Sequence, residues 1–187
     1  MVIVLIGESG SGKTTVKNIL ADRYGYKPVT GYTTRPMRYD ETDGDPYYFY
    51  TPGIFHQNED KMVLPIDYRG WFYGTPKAPF EDKNRNYVAV LSPAELRYMV
   101  SKNLYRDNFF SVYLDVDRKS RLIKLLERDG NTEQGIEEAY RRNLTEVGQY
   151  ERIGDIVNLI LYNDQYKYAP DWMAHRIDAE FKKLLKI

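Results

Sequence analysis

The chain has no cysteine, which excludes disulfides, thiol catalysis and cysteine-ligated zinc, and suits the cytoplasm as the expected location. It has no surplus charge of either sign. Lysines plus arginines equal aspartates plus glutamates at 27 each over 187 residues, so blanket electrostatic capture of nucleic acid or of an anionic membrane is not expected. Any phosphate must be met by a local arginine cluster. Long apolar runs are also missing: the opening run, Met1 to Ile6, is six residues, too short for a bilayer span or a signal peptide. A soluble protein with no membrane partner is expected. No repeat, low-complexity tract or linker interrupts the chain, and its length suits one domain with small insertions. Oligomeric state is not readable from these features.

What the chain does contain is the segment Gly7-Glu8-Ser9-Gly10-Ser11-Gly12-Lys13-Thr14, with the spacing of a phosphate-cradling P-loop. The run before it, MVIVLI, is apolar and β-prone, as a strand buried on both faces should be. After it, Val16, Ile19, Leu20 and Tyr24 recur at helical spacing. In that strand-loop-helix context Gly7 and Gly12 let successive N–H groups turn toward one anion, and the helix dipole points to the same place. Lys13 then reaches the β and γ phosphates, and the Thr14 hydroxyl ligates magnesium. Residues Gly7 to Thr14, with Thr15, form the candidate nucleotide-binding set.

The rest reads as alternating strands and helices, hence an α/β fold with a parallel sheet flanked by helices. A stretch from about Val29 to Pro79, dense in Gly, Pro, Asp and aromatics, reads as an inserted subdomain with short strands at Tyr47 to Tyr50 and Trp71 to Tyr73. Several of the eighteen tyrosines fall here, either lining a pocket or covering a sheet face. Core strands are expected at Tyr87 to Leu91, Phe109 to Leu114 and Ile156 to Tyr162. Ser92-Pro93-Ala94-Glu95 is a capping box before a helix with Leu96, Met99 and Val100 on one face. Asp117 caps a helix carrying Leu122, Ile123, Leu125 and Leu126; Gly130 breaks it and Thr132 caps the next, which runs to about Val147. Two helices flanking an arginine-bearing turn read as a mobile lid. A terminal helix carries Met173, Ile177, Phe181 and Leu184 on one stripe.

A second cationic cluster lies at Thr33-Thr34-Arg35-Pro36-Met37-Arg38, followed by Glu41, Gly44 and Tyr47-Tyr48-Phe49. This segment resembles guanylate kinases, in which Thr-Thr-Arg-x-x-Arg, a following glutamate, a glycine and Tyr-x-Phe grip the acceptor monophosphate. Tyr73-Gly74-Thr75 matches a further signature, Tyr-Gly-Ser/Thr, and the resemblance covers nearly the whole chain. The residue types suit the task on their own chemistry, since arginine forks fit phosphate oxygens and a tyrosine hydroxyl adds a directional bond without charge.

The resemblance implies a P-loop fold with its core at about 1–29, 80–120 and 149–187, a monophosphate-binding insert at about 30–79 and a lid at about 121–148. It implies ATP with Mg2+ as phosphoryl donor and GMP or dGMP as acceptor. Arg35, Arg38, Glu41, Tyr47, Tyr73 and Thr75 become the monophosphate-binding set, and Asn163 falls near the adenine end of the donor. Lys13, Arg128 and Arg142 become the catalytic set. Lys124 stands where a family arginine is expected, and a further family arginine aligns with Ala139. Arg142 is favoured over Arg141 as its replacement because three residues return to a similar helical face.

The chain departs from the family where guanine is read. The family's serine and glutamate are replaced by Gly31 and Leu64, and its strand-end aspartates by Val90 and Ser92. A pocket that hydrogen-bonds its ligand discriminates by roughly 10⁴ to 10⁵, against about 10- to 200-fold for apolar contacts. Base choice is therefore expected to be relaxed or redirected, with Glu59, Asp60 and Asp67 as nearby carboxylates. The alternatives are a kinase for another or modified base, a guanylate-kinase-like module that holds a protein, and a hydrolytic switch using Asp115 for magnesium. Such modules tend to lose the P-loop lysine, which is present here, and hydrolysis leaves the acceptor motif unexplained.

Overall fold

The computed structural model describes residues 1–37, 41–68, 70–130 and 132–186. Period-two alternation in the first strand sets the layers. In β1 (Val2–Ile6) all five residues are fully buried: Ile3 and Leu5 join one core cluster, and Val2, Val4 and Ile6 the other. Against the first cluster lies α1 (Lys13–Tyr24), through Val16 and Leu20. Next come β2 (Lys27–Pro28), then β3 (Gly31–Thr33), β4 (Tyr47–Phe49), α2 (Pro52–His56), β5 (Ile66–Tyr68), β6 (Trp71–Gly74) and α3 (Ala78–Glu81). The core resumes with β7 (Tyr87–Val90), α4 (Pro93–Ser101), β8 (Phe109–Asp115), α5 (Arg118–Asp129), α6 (Glu133–Thr145), β9 (Leu159–Tyr162) and α7 (Pro170–Leu185).

The main sheet has the order β2-β7-β1-β8-β9, all parallel, with helices on both faces. α7 joins α1 on one face, burying Met173, Ala174, Ile177 and Phe181, while Leu96 and Met99 of α4 cover the other. The carboxyl ends of the strands therefore place the P-loop, the start of α4 and the start of α5 side by side, where an open parallel sheet binds ligands. A second sheet, β4-β3-β6-β5, is mixed: β3 and β4 run parallel, and β6 is antiparallel to both β3 and β5.

The expected caps are all present. Ser92 and Glu95 form the reciprocal box, the Asp117 side chain accepts from the Ser120 amide, and Thr132 accepts from the Gly135 amide. Three apolar expectations fail, because the buried stripe of each helix is narrower than its apolar content. Val100 and Leu184, in the last turns of their helices, are exposed, and so is Ile123. α5 instead buries Ser120, Arg121 and Leu125. The last strand starts at Leu159, not Ile156. Residues 153–156 form a 3-10 turn, and Asn158 sets the register by accepting from the Ser111 amide and hydroxyl.

Candidate active site

The P-loop closes tightly on itself. Gly12 caps α1 with φ of 90°, a left-handed conformation that a side chain would strain. Lys13 folds back, its ammonium donating to the carbonyls of Gly7 at 2.6 Å and Glu8 at 2.8 Å. Desolvation lowers its pKa to about 8; the charges of Glu146 and Glu8 oppose this, while those of Arg121 and Arg128 add to it. Ser9 is held from outside the loop by Glu146, and Ser11 is fully buried with its hydroxyl unpartnered. Thr14 and Thr15 are exposed at the start of α1. The carbonyl of Gly10 accepts from the Tyr166 hydroxyl at 2.6 Å, and that of Gly7 from the Tyr150 hydroxyl at 2.7 Å.

α5 and α6 pack together beside this loop. Their arginines share one carboxylate: Arg128 forms a fork with Asp129 at 2.9 and 2.7 Å, and Arg142 lies 3.7 Å from the same group while bonding Glu138 at 2.9 Å. Asp129 thus gathers both candidate catalytic arginines, and Arg128 is near enough for Lys13 to feel its charge. Arg141 is exposed, and Lys124 pairs with Glu127 at 2.6 Å. Ala139 is fully buried, so position 139 faces inward with no cation of its own. Below the loop, Arg121 lies 3.5 Å from Glu8 and donates to the Val116 carbonyl. Glu8, Tyr113, Arg121, Asn143, Glu146 and Tyr150 bound a cleft of about 280 Å³.

Asn163 is engaged within the fold. Its side chain is buried, donating to the Tyr168 carbonyl and accepting from the Tyr168 amide. It shapes the 163–168 turn and offers no free amide to a donor base.

On the second sheet, Arg35 makes a fork to Glu41 at 2.7 and 2.5 Å, with its guanidinium 5.6 Å from the Tyr47 ring centre and 5.3 Å from that of Phe49. Tyr47 meets Tyr73 edge to face at 5.8 Å, and desolvation pushes its phenol up to about 12. Arg38 lies outside the described residues. Strand alternation gives the tyrosines both expected roles: Tyr47 and Tyr73 gather at Arg35, while Tyr48 stacks on Tyr32 at 5.7 Å on the other face.

Thr75 is buried and donates to Glu95 at 2.6 Å. Glu95 also accepts from the Ser92 amide and hydroxyl, and burial raises its carboxyl pKa. The capping box was readable, but its second task of tying Thr75 to α4 was not. At Gly31 a Cβ would stand 3.2 Å from the Gly74 carbonyl and 3.3 Å from the Tyr47 ring, so the tyrosine occupies the space a side chain there would need. Leu64 is half-buried. Glu146, Tyr150, Tyr113 and Arg121 were missed because no local pattern marks them: the Ser9 to Glu146 contact joins residues 137 apart.

The family model described as guanylate kinase matches residues 1–180. A guanylate kinase from Synechocystis is 37% identical over 97 residues, spanning 50% of this chain and 51% of that protein. The chain thus aligns with about half the length of that relative. One from Gloeobacter violaceus is 30% identical over 171 residues, covering 89% of this chain and 82% of its own. Among solved structures, guanylate kinase from Anaplasma phagocytophilum superposes with a TM-score of 0.71 over 98% of this chain and 85% of its own, at 20% identity, which bears on fold.

Proposed function

This chain belongs to the guanylate kinase family, and on that premise we propose that it is an ATP-dependent nucleoside monophosphate kinase acting on GMP or dGMP. The observation that carries the reading is that the chain keeps both sets of phosphate-binding residue types, each folded into a compact cluster. An intact P-loop with Lys13 lies on the parallel core, and the cluster of Arg35, Glu41, Tyr47 and Tyr73 on the second sheet. A phosphate oxygen of the acceptor attacks the γ-phosphorus of ATP in line, the bond to the β-γ bridging oxygen breaks, and ADP leaves. Arg35, Arg38, Tyr47 and Tyr73 hold the acceptor phosphate. Lys13 neutralises charge on the transferring group, and Arg128 and Arg142 swing from Asp129 toward it. No covalent enzyme intermediate is needed, since positioning and charge stabilisation supply the rate.

The donor chemistry fits Mg2+. Among the described residues no cluster of carboxylates or histidines could cage a metal alone, while an exposed Thr14 hydroxyl suits an ion held largely by nucleotide phosphates and water. When bound, the ion would offset phosphate charge. In this reading residues 30–79 carry the acceptor and 121–148 close over the transfer point. Nucleotides are the partners, and no helix among the described residues is long and apolar enough to cross a membrane. Drawing on ATP fits the cytoplasm. The test offers a panel of ribo- and deoxynucleoside monophosphates with Mg-ATP and follows ADP. Formation of the matching diphosphate supports the reading, and failure with every acceptor removes it in favour of a binding module.

A further inference from the structure

The P-loop already holds an anion, supplied by the chain itself. Ser9 donates through its amide to Glu146 Oε2 at 2.8 Å and through its hydroxyl to Glu146 Oε1 at 2.5 Å. An amide and a hydroxyl aimed at two oxygens of one negative group is how a loop of this kind receives a phosphate. Meanwhile Lys13 donates to carbonyl oxygens of its own loop. Glu146 follows the last residue of α6, and the chain beyond it is docked as well, since the Tyr150 hydroxyl donates to the Gly7 carbonyl. One turn earlier Asn143 lines the adjoining cleft, 3% exposed, with its Nδ2 unpartnered.

We propose that Glu146 is an internal occupant of the donor-phosphate cradle: it holds the Ser9 donors in the nucleotide-free protein, and the terminal phosphate of the incoming nucleoside triphosphate binds by displacing it. The proposal rests on the P-loop being the ATP site. Two negative groups cannot share these donors, so the exchange is all or none. Displacement frees the end of α6, the helix that also carries Arg142. Donor entry thereby releases a helix pinned to the loop and lets its arginine turn toward the transfer point. The observed affinity for ATP equals the intrinsic affinity reduced by the fraction of molecules whose cradle is vacant. A charge-assisted pair of bonds favours the occupied form by roughly tenfold or more.

The test measures Mg-ATP affinity by calorimetry, with no acceptor present, for the wild-type chain, Glu146→Gln and Glu146→Ala, and follows Ser9 amide hydrogen exchange in each. Both variants should bind Mg-ATP about tenfold more tightly. The Ser9 amide should exchange at least about tenfold faster in the nucleotide-free alanine variant than in wild type and regain protection with nucleotide. Glutamine keeps the side-chain volume, so it guards against loss of fold, checked by thermal melting. Unchanged affinity, or weaker binding in both folded variants, overturns the proposal, the latter because Glu146 would then help to hold the bound donor. If no form binds Mg-ATP, the donor-site reading falls and this proposal with it, an outcome distinct from equal binding by all three.

Discussion

The two halves of the proposed site, donor and acceptor, are built by different means. The donor half hangs from β1, fully buried and held in the middle of a five-stranded sheet, and it offers mainly backbone groups. The acceptor half hangs from four short strands whose residues are mostly half-buried or exposed, and it offers side chains. Backbone donors are set by the path of the chain and change little when a side chain changes. Side-chain donors can be exchanged one at a time wherever no buried partner or tight contact depends on them. On the proposed reading, the difference teaches why the phosphate motifs of this chain match those of its family while positions 31 and 64 do not: Gly31 and Leu64 lie in the half built from side chains.

The largest expected effect tests the donor half. Lys13→Ala should lower kcat/KM for ATP on the order of 10³-fold, the scale for losing a preorganised charge at a transfer point. The fold should survive, and the sign of the stability change is informative. The Lys13 pKa in the folded chain, about 8, lies below its ordinary value of 10.5, so the protonated lysine costs stability below pH 8 and the cost is relieved as pH rises from 8 to 10.5. Urea denaturation at pH 7 and pH 9.5 should therefore show a stabilising trend with pH in wild type that is smaller in Lys13→Ala. ATP binding should also draw a proton from solution near pH 8.5, detectable by calorimetry in buffers of different ionisation enthalpy. Near-normal turnover by the variant would break the comparison at its stronger side.

How much of each half was legible follows from the same difference. Gly7 to Thr14 is contiguous, so its chemistry and flanking elements stand next to one another in the chain, and the caps at Ser92, Asp117 and Thr132 are local for the same reason. The acceptor half was legible as a list of residues but not as a sheet: β3 and β5 are three-residue strands without alternation strong enough to mark them. Contacts made at long separation were invisible. Glu146 falls at the expected end of a helix and proves to be fastened to Ser9, and the bonds of the Asn163 side chain to Tyr168 leave no trace in the sequence. Arg121 carries no mark in the sequence and proves to be buried against Glu8.

A smaller effect is expected on the acceptor side. Tyr73→Phe removes one hydroxyl while keeping the ring that packs on Tyr47, and a hydrogen bond to a charged phosphate is worth roughly 10- to 100-fold. The loss should appear in kcat/KM for the monophosphate, with ATP affinity in the absence of acceptor unchanged. Arg35→Ala is a poorer probe, because it also breaks the fork to Glu41, whose side chain is only 8% exposed. Equal losses in donor and acceptor binding after Tyr73→Phe would show that the two halves are not separable.

The smallest effect concerns the base, and it sharpens the comparison most. With glycine at 31 and leucine at 64, the preference for GMP over other natural monophosphates should fall in the range of about 10- to 200-fold, measured by competition kinetics. A preference near 10⁴ would mean that other groups read the base and that side-chain exchange in this half has been compensated. The two family residues are not equally restorable. A side chain at 31 meets the Tyr47 ring at 3.3 Å and the Gly74 carbonyl at 3.2 Å, so Gly31→Ser must push aside a tyrosine of the phosphate site and should raise KM for every monophosphate alike. Leu64 is only half-buried, and Leu64→Glu can keep its carboxylate hydrated until a base arrives. Leu64→Glu alone should therefore shift selectivity toward guanine by several-fold with ATP kinetics unchanged, whereas the double variant should gain no more than the single one. A double variant that is markedly more selective would show that Tyr47 yields, and that the acceptor half adapts by moving its phosphate residues as readily as by replacing its base-reading ones.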